Sequence, residues 1–210
     1  AHIRTTEHTH LLDVERYECL IETLGNRIPD LEVQVTSEAA GIYESDAQID
    51  LLSRIKVPWV SVAIRAILMS QDPRALQPFF EQLLGKSRVQ FILYDADDYQ
   101  LLASLVDRNI IQTKSLEVLY VLGKYSANQE STPDQLDPFL AFRDQLSSHL
   151  RPGREMICAF GRGQIPCLLR AASEGIDVRV GFENGIWLPD GEIAEHNAAL
   201  VKALVDMLPA

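Results

Sequence analysis

With 210 residues, 47% of them hydrophobic and 23% charged, the chain can build one α/β domain with a sizeable core. A formal net charge of −11 excludes nucleic acid as a partner class, because neutralising phosphates takes a basic surface. No apolar run nears the ~20 residues that cross a bilayer, so no membrane partner is expected. Three cysteines, Cys19, Cys158 and Cys167, form no C-x-x-C pair, so free thiols and a cytoplasmic, reducing setting are expected.

The chain opens AHIR, which reads as the tail of a strand already under way. Apolar runs rich in Val, Ile, Phe or Tyr then recur as candidate strands: LEVQVT (31–36), WVSVAI (59–64), VQFILYD (89–95), LEVLYVLG (116–123), EMICAFG (155–161) and DVRVGF (177–182). Helical patterns separate them. VERYECLIETLGNRI (14–28) spaces Val14, Tyr17, Leu20, Ile21 and Leu24 along one face. DAQIDLLSRI (46–55) follows Ser45 as candidate N-cap, and further helices are expected over 72–84, 97–107 and 132–150. TPDQ (132–135) puts Thr at a cap and Pro at the first helical position. GQIPCLLRAASEG (163–175) ends at Gly175, a helix-terminating residue, and a last helix is expected from about Glu192 to Leu208.

Alternation of six strands with seven helices predicts a single parallel α/β domain over residues 1–210. Near-continuous apolar strands suit a parallel sheet covered on both faces. Two architectures fit: an open doubly wound sheet, or a (β/α)8 TIM-type barrel lacking its first βα unit and most of its second strand. The remnant at 1–4 favours the barrel, with roughly 40–50 further residues expected before Ala1 from the size of one barrel unit. No G-x-G-x-x-G follows the first strand, which argues against a dinucleotide fold.

A barrel works at the C-terminal ends of its strands. Those ends offer His2 and Arg4; Thr36, Ser37 and Glu38; Ser61 and Arg65; Gln90 and Asp95; Arg162 between two glycines in FGRGQ (160–164); and Arg179, Glu183 and Asn184. Together they make a candidate metal and anion site. Each residue also has a plainer reading. A histidine near a chain start can be solvated, a strand serine can bond backbone, and a loop arginine can pair with a neighbouring carboxylate. HTH (8–10) lies in a Thr-rich loop and reads as solvated; His149 and His196 read as surface residues. The stretch VRVGFENGIW (178–187) begins like a buried strand through Val178, Val180 and Phe182. An Arg179–Glu183 ion pair there would be costly to desolvate, which favours a functional use.

VRVGFENGIWLPDGEIAEHNAALVKALVDML (178–208) resembles the last strand and helix of the β-keto acid cleavage enzymes, whose pattern reads roughly V-R-V-G-L-E-D-N. AHIRTTEHTHLLDVERY (1–17) resembles that family's second strand, H-L-H-V-R-D, and PDLEVQVT, VLYVLG and FGRGQIPCLLRAASEG follow in the family's order. The resemblance implies a zinc-dependent barrel that condenses a β-keto acid with acetyl-CoA and cleaves the adduct to acetoacetate and a new acyl-CoA. It implies zinc, or another divalent metal, on His2 and Glu183. It implies Arg179 on the substrate carboxylate, with hydroxyl contacts from Thr36, Ser37 and Ser61; Arg162 is a candidate anion contact on its glycine-flanked loop alone. A homo-oligomer is expected. Three positions depart from the pattern. The first histidine of H-x-H would precede Ala1, Asn184 stands where the family has Asp, and Gln90 stands where it carries Glu. Asn184 and Gln90 would share the reacting end of the cavity but cannot act as bases. The alternative is therefore a barrel of the same ancestry that binds a small carboxylate or CoA ester without cleaving it.

Overall fold

The computed structural model of the chain describes residues 1–38, 41–69 and 71–208. Six strands form one sheet in chain order: β1 (Val35–Thr36), β2 (Trp59–Ala63), β3 (Arg88–Leu93), β4 (Glu117–Leu122), β5 (Arg154–Ala159) and β6 (Asp177–Val178). The sheet is parallel, with Val35 beside Val60, Glu117 beside Arg154, and Ile157 beside Val178. After their first residue, β3 and β4 are buried at every position, which suits the run VLYVL of β4 and, in β3, a run apolar but for Gln90, with both faces covered. Eight α-helices lie between and after the strands among the described residues: α1 (Val14–Arg27), α2 (Ser45–Arg54), α3 (Ile64–Leu68), α4 (Gln77–Lys86), α5 (Ala96–Asp107), α6 (Asp137–Gln145), α7 (Gln164–Ser173) and α8 (Asn197–Val205).

The chain divides into two compact units, one of residues 1–91 with 101–114 and one of residues 92–100 with 115–210. In the first, residues 3–11 form a small hairpin. Thr5 N–H donates to Thr9 O, Leu11 N–H donates to Ile3 O, and Arg4 bridges His10 antiparallel. Ala1 lies along β1, its amino group donating to Gln34 O and its carbonyl accepting from Thr36 N–H at 3.4 Å. Asp13 caps α1 by accepting from Arg16 N–H, and Tyr17, the buried residue of that helix, donates its hydroxyl to Thr36 O at 3.1 Å.

In the second unit, α7 buries Ile165, Cys167, Leu168 and Ala171. It closes as GQIPCLLRAASEG predicts. Gly175 takes φ +74 and donates to Ala172 O, while Ile176 donates to Ala171 O and is itself buried. Tyr120 of β4 is fully buried between Tyr99 of α5 and Phe139 of α6, at ring separations of 5.8 and 4.7 Å. Its hydroxyl donates to Glu155 Oε1 at 2.5 Å, and Glu155 also accepts from Arg143 at 3.2 Å. One polar chain thus ties α6 to two strands, with its carboxylate satisfied on both oxygens.

Several expected boundaries move, each for a local reason. Only Asp177 and Val178 of DVRVGF form a strand; Phe182 is exposed and residues 181–184 turn. Ser45 begins α2 without capping it, because its hydroxyl donates instead to Met69 O at 2.8 Å. The helix expected over 72–84 starts only at Gln77, with Pro78 in its first turn. The 132–150 segment breaks into a 3-10 turn at Pro133–Leu136, then α6, then a second 3-10 turn at Ser148–Leu150. Within the first turn, Thr132 N–H donates to Gln135 Oε1, so the capping pattern of TPDQ holds. α8 begins at Asn197 rather than 192, because Trp187 bridges Ile193 across the loop Leu188–Glu192 and His196 supplies the cap through Nδ1.

Replacing Tyr120 by Phe should cost about 1–3 kcal/mol in chemical denaturation, since it strips a half-buried carboxylate of a hydrogen bond. Burial pushes the Tyr99 phenol up to about 12 from 10.0 and holds Tyr120 higher than its ordinary value. Both folded values lie above the unfolded one. Their stabilising effect is therefore complete below pH 10 and lost as pH rises through the folded values. Unfolding free energy measured from pH 9 to 12 should fall above pH 10, with a shallower slope in Tyr99→Phe.

Candidate functional site

The expected site residues divide between the two units. In the first unit, β1 and β2 end in a group of buried hydroxyls. Thr36 is 5% exposed and its Oγ1 accepts from Glu38 N–H at 3.1 Å. Ser37 is fully buried, and its Oγ meets no hydrogen-bond partner among the described residues. Ser61 is buried one strand away, its carbonyl accepting from Ser37 N–H at 3.4 Å. A buried hydroxyl left without a protein partner is the kind of group a ligand satisfies. Gln90 of β3 is 1% exposed, and its Oε1 accepts from Gln34 Nε2 at 3.1 Å.

His2 is half-buried beside His10, their rings edge to face with centroids 4.7 Å apart. HTH (8–10) is therefore not uniformly solvated: His8 is exposed in the hairpin turn at φ +63, while His10 folds back and its Nδ1 lies 3.3 Å from Glu38 O. Burial, and then the neighbouring His2, hold His10 below the usual imidazole value. That favours the neutral ring, in which Nδ1–H donates to Glu38 O and the lone pair lies on Nε2.

In the second unit, the end of β6 gathers the other candidates. Arg179 N–H donates to Ile157 O at 2.8 Å, one bond beyond the strand. The register sets its side chain over β5: Ile157 pairs with Val178, so Cys158 flanks Arg179, whose Nη2 lies 3.2 Å from the thiol sulfur. The same nitrogen approaches Asn184 Oδ1 at 3.4 Å and Glu183 Oε2 at 3.5 Å. The side chains of Arg179 and Glu183 are 36% and 53% exposed, so the expected desolvation cost is absent and the pair itself is worth at most about 1 kcal/mol. Asn184 is the buried member of the group at 5% exposed, and its Nδ2 finds no acceptor among the described residues.

Glu183 and Asn184 ride on the turn 181–185. Asn184 and Gly185 N–H both return to Gly181 O, at 3.0 and 3.2 Å, and Gln164 of α7 bonds both ends of that turn. Arg162, exposed next door, stacks on Trp187 at 4.8 Å, and its N–H donates to Glu130 Oε2 at 2.8 Å. The glycines on either side of it pack against Glu130 and Ser131. His149 and His196 are exposed, as expected. A cavity of about 340 Å³ opens where β3 and β4 end, walled by Tyr94, Val121, Leu122, Tyr125 and Phe139, with Lys124 among its polar groups.

The profile of the beta-keto acid cleavage enzyme family matches residues 1–210. The chain belongs to that family. It is 28% identical over 123 residues to a 3,5-dioxohexanoate:acetyl-CoA acetone transferase of Paraburkholderia graminis, over 56% of this chain and 37% of that protein. Its fold is like that of ObcA in a binary complex with oxaloacetate, at TM-score 0.66 and 13% identity, over 94% of this chain and 52% of that one. A ternary complex of ObcA with a C4-CoA adduct and oxalate aligns equally well, at TM-score 0.66, 12% identity and the same coverage. The chain thus spans between about a third and a half of the length of these relatives.

Each unit by itself carries donor types that suit a divalent cation: the imidazoles of His2 and His10 in the first, and the carboxylate of Glu183 in the second. No group of three or more His, Cys, Asp or Glu side chains that could hold a metal gathers among the described residues. No helix among them is long and apolar enough to cross a membrane. Three residues of these surroundings escaped the sequence reading. His10 was hidden by a hairpin that local composition presents as a polar loop. Cys158 was legible in principle, because aligning β5 with β6 sets it next to Arg179. Gln164 stood directly after the second glycine of FGRGQ, where a helix begins.

An NMR titration should place the His10 midpoint below 6.5, moving up towards it in His2→Ala, which removes the neighbouring ring. A depressed imidazole contributes stability above the unfolded value and loses it as pH falls. The hairpin over residues 3–11 should therefore loosen as pH falls below 6.5, and the His10→Asn variant should not show this loss.

Proposed function

We propose that this protein is a metal-dependent enzyme on a (β/α)8-type scaffold that joins a β-keto acid to acetyl-CoA and cleaves the adduct to acetoacetate and a new acyl-CoA. The family match along residues 1–210 carries this reading. Two of its relatives' names point to the same substrates: one acts on 3,5-dioxohexanoate and acetyl-CoA, and the ObcA complexes hold oxaloacetate or a C4-CoA adduct.

His2 and Glu183 would hold the metal, zinc or another divalent ion, which when bound polarises the keto oxygen as a Lewis acid. The remaining work belongs to the chain's own groups. Arg179 meets the substrate carboxylate; its planar fork is made for such a partner, and its pair with Glu183 is weak enough to exchange. Asn184, buried and with an Nδ2 that meets no acceptor among the described residues, would donate to an oxygen that gains negative charge. Ser37, with its unpartnered hydroxyl, and the buried Thr36 and Ser61 would give hydroxyl contacts to the keto acid. Arg162, stacked on Trp187, is exposed at the rim and suits an anionic part of the CoA. The apolar cavity at the ends of β3 and β4 offers room for the acyl-CoA arm.

A second reading rests on the two amides. Asn184 and Gln90 accept and donate hydrogen bonds but take no proton, and Gln90 is already engaged with Gln34. A scaffold of this kind can bind a small carboxylate or CoA ester without turning it over.

Metal analysis on protein purified without a histidine tag should find about one zinc per chain, lost in Glu183→Ala. With acetyl-CoA and a panel of β-keto acids, the wild type should release acetoacetate; Glu183→Ala should lower kcat by at least ~100-fold, and Arg179→Lys should raise KM for the keto acid about tenfold. Absence of metal after zinc loading, with no acyl-CoA formed, would leave the binding reading. In that case the double variant Asn184→Asp, Gln90→Glu should gain turnover that the wild type lacks.

A further inference from the structure

The turn bearing Glu183 and Asn184 is gripped at both ends by one side chain that the proposed chemistry does not use. Gln164, the first residue of α7, is 1% exposed. Its Oε1 accepts from Gly181 N–H at 3.0 Å, and its Nε2 donates to Gly185 O at 3.0 Å. Gly181 and Gly185 are the first and last residues of the turn, so this single amide fixes its span. Two other bonds hold only one point each: Gly161 N–H donates to Asn184 O at 2.8 Å, and Phe182 N–H donates to Asn197 Oδ1 at 3.0 Å. The fit is close. A Cβ added at Gly185 would come within 2.6 Å of Gly161 O and 2.9 Å of Gln164 Nε2. An amide is the side-chain group of this length that offers an acceptor and a donor on one carbon. An ionised carboxylate could take Gly181 N–H but would repel Gly185 O; an apolar side chain could do neither.

We propose that Gln164 is a positioning residue, one that sets the direction in which Glu183 and Asn184 point and so controls metal affinity and turnover without touching substrate. The inference rests on the functional reading above, in which Glu183 holds the metal and Asn184 faces the reacting oxygen. Groups that orient a metal ligand from behind are typically worth 10–100-fold in affinity or rate.

The test compares Gln164→Glu and Gln164→Leu with the wild type in three measurements. Amide hydrogen exchange of residues 181–185, without metal or substrate, reads the turn itself. Zinc affinity by chelator competition reads Glu183. Where acetoacetate forms, kcat and KM are followed from pH 5 to 8. In Gln164→Leu, exchange at 181–185 should rise at least tenfold while β5 and the body of α7 keep their protection. Zinc affinity and kcat should fall about 10–100-fold, with KM for acetyl-CoA within about threefold. Gln164→Glu should behave like Gln164→Leu at pH 8 and recover towards wild type as pH falls. The protonated carboxyl has one acceptor oxygen and one donor hydroxyl, so it can remake both bonds. A side chain acting by packing alone gives no such pH-dependent recovery. Wild-type exchange and zinc affinity in both variants would overturn the proposal, as would loss of protection throughout the unit without recovery of Gln164→Glu at low pH. A wild type that forms no acyl-CoA would refute the functional reading alone; exchange and zinc affinity would still decide the role of Gln164.

Discussion

A parallel strand with both faces covered has nowhere to put a polar side chain except at its ends. β3 and β4 obey this: from Val89 to Leu93 and from Val118 to Leu122 every residue is buried, and Gln90 and Tyr120 are tolerated only because each finds a bonding partner. The same constraint gathers the chemistry elsewhere. Thr36 and Ser37 stand at the end of β1, Arg179 just past β6, and Glu183 and Asn184 on the turn beyond it. Tyr120 is satisfied by Glu155, whose other oxygen accepts from Arg143. Two orphaned groups, Ser37 Oγ and Asn184 Nδ2, lie just beyond strand ends, where a ligand can complete them.

This division explains which parts of the molecule could be read from sequence. The central strands were legible because their side chains answer to one requirement, burial on both faces, and that requirement writes itself as an unbroken apolar run. The strand ends were legible as places but not as geometry. VRVGFENGIW shows alternation like a strand through Phe182, yet the ladder stops at Val178, because Gly181 begins a turn that outside elements hold in place. Nothing local to those ten residues encodes Gln164 or Asn197. Helix starts failed for a similar reason: Ser45 looks like a cap, but its hydroxyl is drawn to Met69 O, a partner 24 residues away.

Family membership and local physics give different kinds of information about the site. The family supplies a chemistry and its expected ligands. The physics of this chain supplies the departures and their consequences. Asn184 is buried and fixed where an acid is expected, so its neutral amide presents a donor instead of a base. His10, which the family pattern does not invoke, lies ring to ring with His2 and stays neutral through burial. A carboxamide base substitute and an extra imidazole are both compatible with the fold, because neither disturbs the buried strands.

The 3.5 Å contact between Arg179 and Glu183 has a thermodynamic consequence. The two side chains neutralise one another across solvent, at little cost to separate. A cation taken up by Glu183 would withdraw its charge from Arg179, and an anion taken up by Arg179 would withdraw its charge from Glu183. Each ligand would thus remove the competitor of the other. Reciprocity then requires that the metal tighten carboxylate binding by the same factor as the carboxylate tightens metal binding. A weak surface ion pair would in this way act as a coupling element, ordering the assembly of the site without any movement of the backbone.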